Sequence, residues 1–547
     1  MNLFNLAKSG LSTAQSALSV VGSNLTNGMT PGYSRRDIIL GEAGGLATQK
    51  GFYGYGVQVN GVQRGYDAFI NNQLRGASNI MAGISSRYQQ LSEIDNMLGD
   101  TESNPSVGMN NFFKALSTLS DDASMASSRQ AAMRSLDSIS YQFNTASKRL
   151  TGLEKSTNTK IQQSVDEINS STEQLARLNT QIEKIASQGG TPPADLLDIR
   201  DGLLLKLSDN IGIEVTENIE TGRVDVKLAD GRPLVRGDVA YKMEASTSPA
   251  DPNKTIVSYV DANGNATPLN EERIKGGVLG GLFKFRNEDL VDSRNELNKI
   301  AFQMAARFNE VNANGFDQNG DRGGDLFNIP DPKAIANANN GGNAGLTPKF
   351  SGAAQDVKSE DYSISFDGTD WVVKGADGRT VTATFDPGAN TLSFDGIEID
   401  ITGTPQAGDS FMMNPTAGVA EGMSTAISSG AEIAASDSAD TDDDKNNENL
   451  KLLLGIQDEK LINGKAKLTE AYATLVGTVG SAMNSLKVDG DASSSVLEEL
   501  QYKWQATAGV DLNEEVMNLQ MFTQYYQANA QILQTATTLF DTLLTLK

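Results

Sequence analysis

The two ends of the chain repeat one apolar period, and no other feature limits its fold as tightly. Phe4, Leu11, Leu18 and Leu25 recur every seven residues, with Ala7, Ala14 and Val21 interleaved three positions further on. At the other end Leu512, Leu519, Tyr526, Leu533 and Phe540 keep the same interval. A seven-residue apolar repeat marks a helix whose stripe packs against another helix. The second segment predicts a helix from Leu512 toward the terminus, roughly 50 Å long at the standard rise. Asp511 is placed to cap it, and Glu514 and Glu515 suit the positive end of its dipole. A lone helix cannot bury such a stripe. Periodicity leaves two readings open with equal weight: the ends pair with each other, or each packs separately into a globular core.

Between the ends the pattern changes. Residues 106–191 hold no proline, and Ile161, Val165, Ile168, Leu175, Leu178, Ile182 and Ile185 mark a long helical stripe. Residues 283–311 predict another helix, with Leu290, Leu297, Ile300, Met304 and Phe308 on one face. No proline follows Pro415, which suits a helical run through 450–547. From about 211 to 275, alternation such as Val224-Asp225-Val226-Lys227-Leu228 before Asp230-Gly231 predicts strands and turns. From 315 to 415 the alternation is stronger, in Tyr362, Ile364 and Phe366, in Leu392 and Phe394, and in Ile397, Ile399 and Ile401. Asp367-Gly368, Asp377-Gly378 and Asp395-Gly396 supply turn signals there.

The expected fold is α+β and multidomain: a long antiparallel, coiled-coil-like helical bundle formed from both chain ends, with small β domains inserted. Residues 1–45 with 510–547 are expected to form a terminal helical domain, and 46–208 with 276–314 and 450–509 a helical rod domain. Residues 209–275 form a small β insertion in this reading, 315–435 a second β domain, and the acidic stretch 436–449 a solvated linker. A chain of 547 residues exceeds what one core organises, so several packed units are required.

Composition excludes whole classes of chemistry. Asp and Glu total 69 against 45 Lys and Arg, and the net charge of −24 repels a phosphate backbone, so no nucleic-acid partner is expected. Cysteine and histidine are both absent. That removes disulfides, thiolate nucleophiles, zinc–thiolate sites and imidazole bases. The N-terminal segment lacks the pattern of a cleaved secretory signal, and no stretch reads as a bilayer span, so membrane insertion is not expected. By these rules alone the protein reads as cytoplasmic.

The segment SNLTNGMTPGYSRR (23–36) resembles the N-terminal signature of the flagellar axial proteins, the family of rod, hook and hook-associated subunits. The matching residues are Asn24, Leu25, Asn27, Thr30, Pro31, Gly32, Tyr33 and Arg35. Physically, Gly28 can end the helix and Pro31-Gly32 suits a type II turn. Residues 510–544 resemble the signature at the other end of the same family, at Leu512, Glu515, Asn518, Leu519, Tyr526, Ala528, Asn529, Ala530 and Gln534. Within that family GVQRGYDAFINNQLR (61–75), YQQLSEIDNMLGD (88–100) and the helix at 282–311 resemble the hook-associated protein 1 group. Tyr525-Tyr526 departs from the common rod and hook pattern, which tends to carry an Arg earlier in that turn, and favours a junction subunit.

The resemblance implies a structural subunit that assembles at the distal end of the hook and joins it to the filament. In this family the terminal helices pair and pack into the inner tube of a hollow assembly. Implied partners are further copies of the chain, the hook protein, the third hook-associated protein, and an export chaperone on the C-terminal helix. The implied location is extracellular, on the flagellum, reached through the flagellar export channel without a cleaved signal, which overrides the cytoplasmic reading. The assembly interface is then assigned to Leu11, Leu18, Val21, Asn24, Leu25, Asn27, Pro31, Gly32, Tyr33 and Arg35, and to Leu512, Leu519, Tyr526, Asn529, Leu533 and Phe540.

No catalytic residue, cofactor or metal site is assigned. Asp317, Asn319 and Asp321 occupy three positions of a calcium-loop pattern, but Arg322 stands where it needs Gly and Asn328 where it needs Glu, so an Asx-capped turn is the better reading. Asp195, Asp198 and Asp201 at helical spacing invite comparison with a glycosidase carboxylate pair, but with Arg200 they read as the charged outer face of an amphipathic helix. Trp371 and Trp504 read as core residues. The rival assignments are a hook or distal rod subunit and, more distantly, a secreted carboxylate enzyme or adhesin.

Overall fold

A computed structural model describes residues 2–48, 51–100, 104–188, 192–218 and 220–545. The helices are α1 (Asn2–Asn27), α2 (Ala68–Leu98), α3 (Pro105–Asp121), α4 (Ala126–Ser187), α5 (Ala194–Asn210), α6 (Gly277–Lys284), α7 (Leu290–Asn314), α8 (Val419–Gly422), α9 (Glu448–Gly455), α10 (Leu468–Ala508) and α11 (Leu512–Thr545). Their starts follow local chemistry. Asp67 caps α2 by accepting from the amides of Phe69 and Ile70, and Asn104 caps α3, which opens with Pro105. The expected stripe over 106–191 is broken at residues 122–125, giving α3 and then the 62-residue α4.

Two apolar cores organise the helices. The first joins the end of α2, all of α3, the first half of α4, α7, α9 and the first half of α10 to the second β domain. The second joins the later half of α4 to α5, α6 and the small β insertion. α4 therefore serves both, through Leu136, Phe143 and Leu150 in one and Ile161, Val165 and Leu175 in the other.

The small insertion holds an antiparallel four-stranded sheet from Ile213–Glu217 to Val239–Ala240 and a three-stranded one from Met243–Thr247 to Ala266–Pro268. The second β domain pairs a five-stranded and a four-stranded sheet. Tyr362, Ile364, Leu392, Phe394, Ile397 and Ile399 point into the shared core, as the alternation predicts. The Asp395-Gly396 turn has both residues at positive φ, 42° and 75°, as a tight hairpin requires. Trp371 packs against Phe366 and Phe411. The architecture is the expected α+β, multidomain one.

Residues 36–64 depart from expectation. Their described residues form two nested antiparallel strand pairs, with β1 (Arg36–Glu42) on β4 (Val57–Arg64) and β2 (Gly45–Thr48) on β3 (Gly51–Gly54). The domain boundary drawn at residue 45 passes through them. Both faces are partly wet, with Ile39, Leu40, Val59 and Val62 exposed, and the alternation is short and interrupted by the bulge between Ile39 and Leu40. The acidic stretch 436–449 is solvated in its middle but tied at both ends, where Ser436 bridges to Phe316 and Asn447 donates to the Ser120 carbonyl at 2.6 Å.

Candidate assembly site formed by the two chain ends

The two ends pair. α1 and α11 run antiparallel, with Gly28 facing Val510 at one level and Gly10 facing Asn529 nearly three heptads further along. The seam between them is made of small side chains: Ala7, Gly10, Ala14, Ala17, Val21 and Asn24 of α1 are buried at alternating steps of three and four. Small residues let two helix axes approach closely. At Gly10 a Cβ would stand 2.2 Å from the Asn529 side-chain oxygen, so adding one requires the Asn529 side chain to move. Among the described residues neither α1 nor α11 contributes to the two large cores; what buries this pair within the chain is the pair itself and the packing of α1 on β1 and β4.

Of the N-terminal stripe read from the sequence, the interleaved Ala7, Ala14 and Val21 lie in the intramolecular seam, and the large heptad residues of both ends do not. Leu11, Leu18 and Leu25 flank it and are half-buried, as are Tyr526 and Leu533, while Leu512, Leu519 and Phe540 are exposed. Phe4, Val516, Met517, Met521, Tyr525 and Leu539 are exposed with them. This many large apolar side chains left in water on one helix pair mark it as contact surface.

The family signature forms a clasp at the base of the pair. α1 stops at Asn27, and the Tyr33 amide donates to the Thr30 carbonyl at 3.1 Å across Pro31-Gly32, with Gly32 at φ 79°, which is the type II turn expected. Pro31 and Gly32 are exposed. Asn24 is buried and holds the turn from inside: its side chain donates to the Arg36 carbonyl at 2.9 Å and accepts from the Arg36 amide at 3.0 Å and the Tyr33 hydroxyl at 2.9 Å. Asn27 donates back to the Ser23 carbonyl at 3.0 Å.

The turn delivers Arg35 to the first turn of α11. Its guanidinium donates to both oxygens of Glu514 at 3.0 and 2.6 Å, and its Nε lies 3.0 Å from Oε1 of Glu515. Burial pushes the Arg35 guanidinium down, but the Glu514 hydrogen bond and the charges of Asp37, Glu514 and Glu515 outweigh it and hold the group above its ordinary value. Asp511 caps α11 by accepting from the amides of Asn513 and Glu514 at 2.8 and 3.3 Å, as the sequence predicts. The dipole role assigned to the two glutamates is thus joined by a second one, pairing the chain ends.

A buried ion-pair network, not an apolar core, docks this module on the rod. Arg64 of β4 meets Asp198 at 3.1 Å and Asp201 at 2.8 Å, and the Ser34 amide also donates to Asp198. Arg200, fully buried, bonds Asp201 and reaches Glu217 at 2.7 Å. The Tyr66 hydroxyl donates to Glu217 and is pushed up to about 12 by burial and by the charges of Asp201 and Glu217. This corrects the reading of α5 as a helix with a charged outer face, because its Asp198, Arg200 and Asp201 point inward to partners more than a hundred residues away or on the next strand. The calcium-like loop closes on itself, with Asp317 Oδ1 accepting from the amides of Asn319 and Asp321.

Comparison with known proteins places these features in a family. A family model described as the flagellar hook-associated protein FlgK helical domain matches residues 91–327, and one described as the D2-like domain of flagellar hook-associated protein 1 matches 335–415. A third, for the C-terminal part of flagellar basal body rod FlgEFG proteins, matches 505–546. Flagellar hook-associated protein 1 of Salmonella typhimurium is 39% identical over 554 residues, covering 100% of both chains. Its counterpart in Escherichia coli K12 is 38% identical over 550 residues, again with 100% of both covered. The solved flagellar hook junction protein FlgK from Burkholderia pseudomallei superposes with a TM-score of 0.72 at 25% identity, over 79% of this chain and 99% of that one. Aligned end to end with relatives of this identity, the chain belongs to the flagellar hook-associated protein 1 family.

Proposed function

We propose that this chain is a structural subunit of the bacterial flagellum that assembles where hook meets filament, and that its paired ends are the part that assembles. One observation carries the reading. The small-residue seam closes α1 on α11, while Phe4, Leu512, Val516, Leu519, Met521 and Phe540 face water outside both cores of the chain. Burying that surface between neighbours stabilises by about 25 cal/mol per Å², which offsets the cost of ordering the ends only once neighbours are present. Repeated head-to-tail contacts that do not close in a plane build a tube. Further copies, the hook protein and the third hook-associated protein are the partners of this surface, and an export chaperone covers the C-terminal helix beforehand. The location is extracellular, after export without a cleaved signal. Assembly is the function, with no bond made or broken and no cofactor or metal needed.

The test is complementation. A strain lacking the gene receives the chain with Leu512, Leu519 and Phe540 changed to serine, none of which is buried in the isolated chain. The variant should be folded and exported yet build no filament. Normal filaments from it would sink the proposal.

A further inference from the structure

On α4 and on the α6–α7 segment a polar layer lies between the rod's two apolar cores, while on α2 Ile84 and Tyr88 pack against the first core on either side of Arg87. The helical segment α6–α7 changes core within three residues, Phe283 lying in the second core and Phe285 in the first. At the same level Arg286 is buried, donating to both oxygens of Glu271 at 2.8 and 2.7 Å and to the Asn158 side chain at 3.0 Å. Arg87 of α2 forks onto Asp289 at 2.7 and 2.8 Å, and Arg294 reaches Glu154 of α4 at 3.0 Å. Thr157 and Gln90 are buried beside them and hydrogen-bonded to each other at 3.4 Å.

The backbone is irregular at this level too. Phe285–Asp289 form a π-helical turn, whose hydrogen bonds span one residue more than those of an α-helix and which breaks the regular ladder between α6 and α7. Gly152 of α4 lies within two turns of Thr157, with open space where a Cβ would stand. In α10, Gly480 and Gly490 flank the layer, facing Asp95 and Ile84 of α2. Helix-interior glycine lowers the cost of local bending.

We propose that the rod bends at this waist, as two rigid bodies joined by a charged hinge. Bending inside either core would part close-packed apolar side chains. Bending between them trades ion pairs and hydrogen bonds that water can replace, and both cores stay closed. Arg87, Arg286 and Arg294 each clasp a carboxylate on another element, so they favour one angle and yield under load or at high salt. The hinge follows from the fold and does not rest on the assembly reading.

The chain has no cysteine, so two introduced ones can be labelled selectively for single-molecule energy transfer on the full chain. Ala473→Cys with Lys242→Cys spans the waist. Ala473→Cys with Thr118→Cys, and Lys242→Cys with Arg177→Cys, each stay within one body and give the rigid reference. The spanning pair should show a distribution about twice as wide as the references, widening further at about 1 M salt. Deleting Glu288, which restores α-helical register, should narrow it to the reference width. Glu271→Gln, which frees Arg286, should widen it and serves alone if the deletion does not fold. A spanning pair as narrow as the references at both salt concentrations, and unmoved by Glu271→Gln, would overturn the hinge.

Discussion

Replacing Arg35 by alanine cuts the clasp between the chain ends, and the structure sets the size of the effect. Across the clasp Arg35 meets two carboxylates of different kinds, besides the exposed Asp37 of the adjoining β1: the Glu514 side chain is 46% exposed and that of Glu515 1%. The exposed pair contributes about 0.5 kcal/mol. Removing the partner of a buried charge costs roughly 3–5 kcal/mol, because the remaining ion stays desolvated. Arg35 itself is 22% exposed, so water can follow the truncation and reach Glu515. That brings the expected total to about 2–3 kcal/mol, which multiplies the population with separated ends roughly 30- to 150-fold. Amide hydrogen exchange reads this directly. The Arg35 amide, which donates to the Ala508 carbonyl at 2.7 Å, and the Glu515 amide, which donates to the Asp511 carbonyl at 3.0 Å, should lose protection by that factor, while amides of α7 keep theirs. Arg35→Met combined with Glu515→Leu removes both charges and should recover most of the loss. If Arg35→Ala changed exchange at these amides less than about threefold, the clasp would not hold the ends together.

Three further outcomes are expected. Gly10→Ala pushes a Cβ into the Asn529 side chain and should weaken end pairing, and adding Asn529→Ala should restore it, as read by the circular-dichroism melt of the terminal helices. Asp198→Asn takes one carboxylate from Arg64 and should raise the rate of proteolytic cutting near residues 64–68, with the two rod cores unaffected. Glu154 is pushed up from the usual carboxylate range by burial, against the pull of Arg294. A raised folded-state value means the stabilisation is complete below the ordinary carboxylate pKa and is lost as pH rises through the folded one. Glu154→Gln, which mimics the protonated form, should therefore match the wild type in denaturant unfolding near pH 3 and exceed it near about pH 7. A constant difference across that range would refute the assignment.

Much of the framework was legible because period alone carries it. The heptads located α1 and α11, Asp511 marked where α11 begins, and alternation from Tyr362 to Ile401 marked the inward face of the second β domain. Which half of the heptad pattern closes the pair was not legible, although Ala7, Ala14 and Val21 of the seam are part of that pattern. Large leucines dominate a periodicity count, whereas close approach selects Ala7, Gly10, Ala14 and Ala17, and Gly10 and Ala17 went unread. The strand pairs at 36–64 escaped because their alternation, as in Val57-Gln58-Val59-Asn60, is short and is interrupted by the bulge between Ile39 and Leu40. Asp198 and Asp201 looked like surface charges since spacing shows that residues share a helix face, and only tertiary contact shows whether that face is buried. The clasp was half legible: Arg35 and Glu515 both belong to the family signatures, but nothing in one dimension joins residues 479 positions apart, the separation of Arg35 and Glu514.

The central claim, a structural subunit placed where hook meets filament, is tested most directly by immunogold electron microscopy of isolated flagella with antibody against this chain. The account predicts a narrow band of label at the boundary between hook and filament. Label along the whole hook, or none on any flagellum, would contradict it.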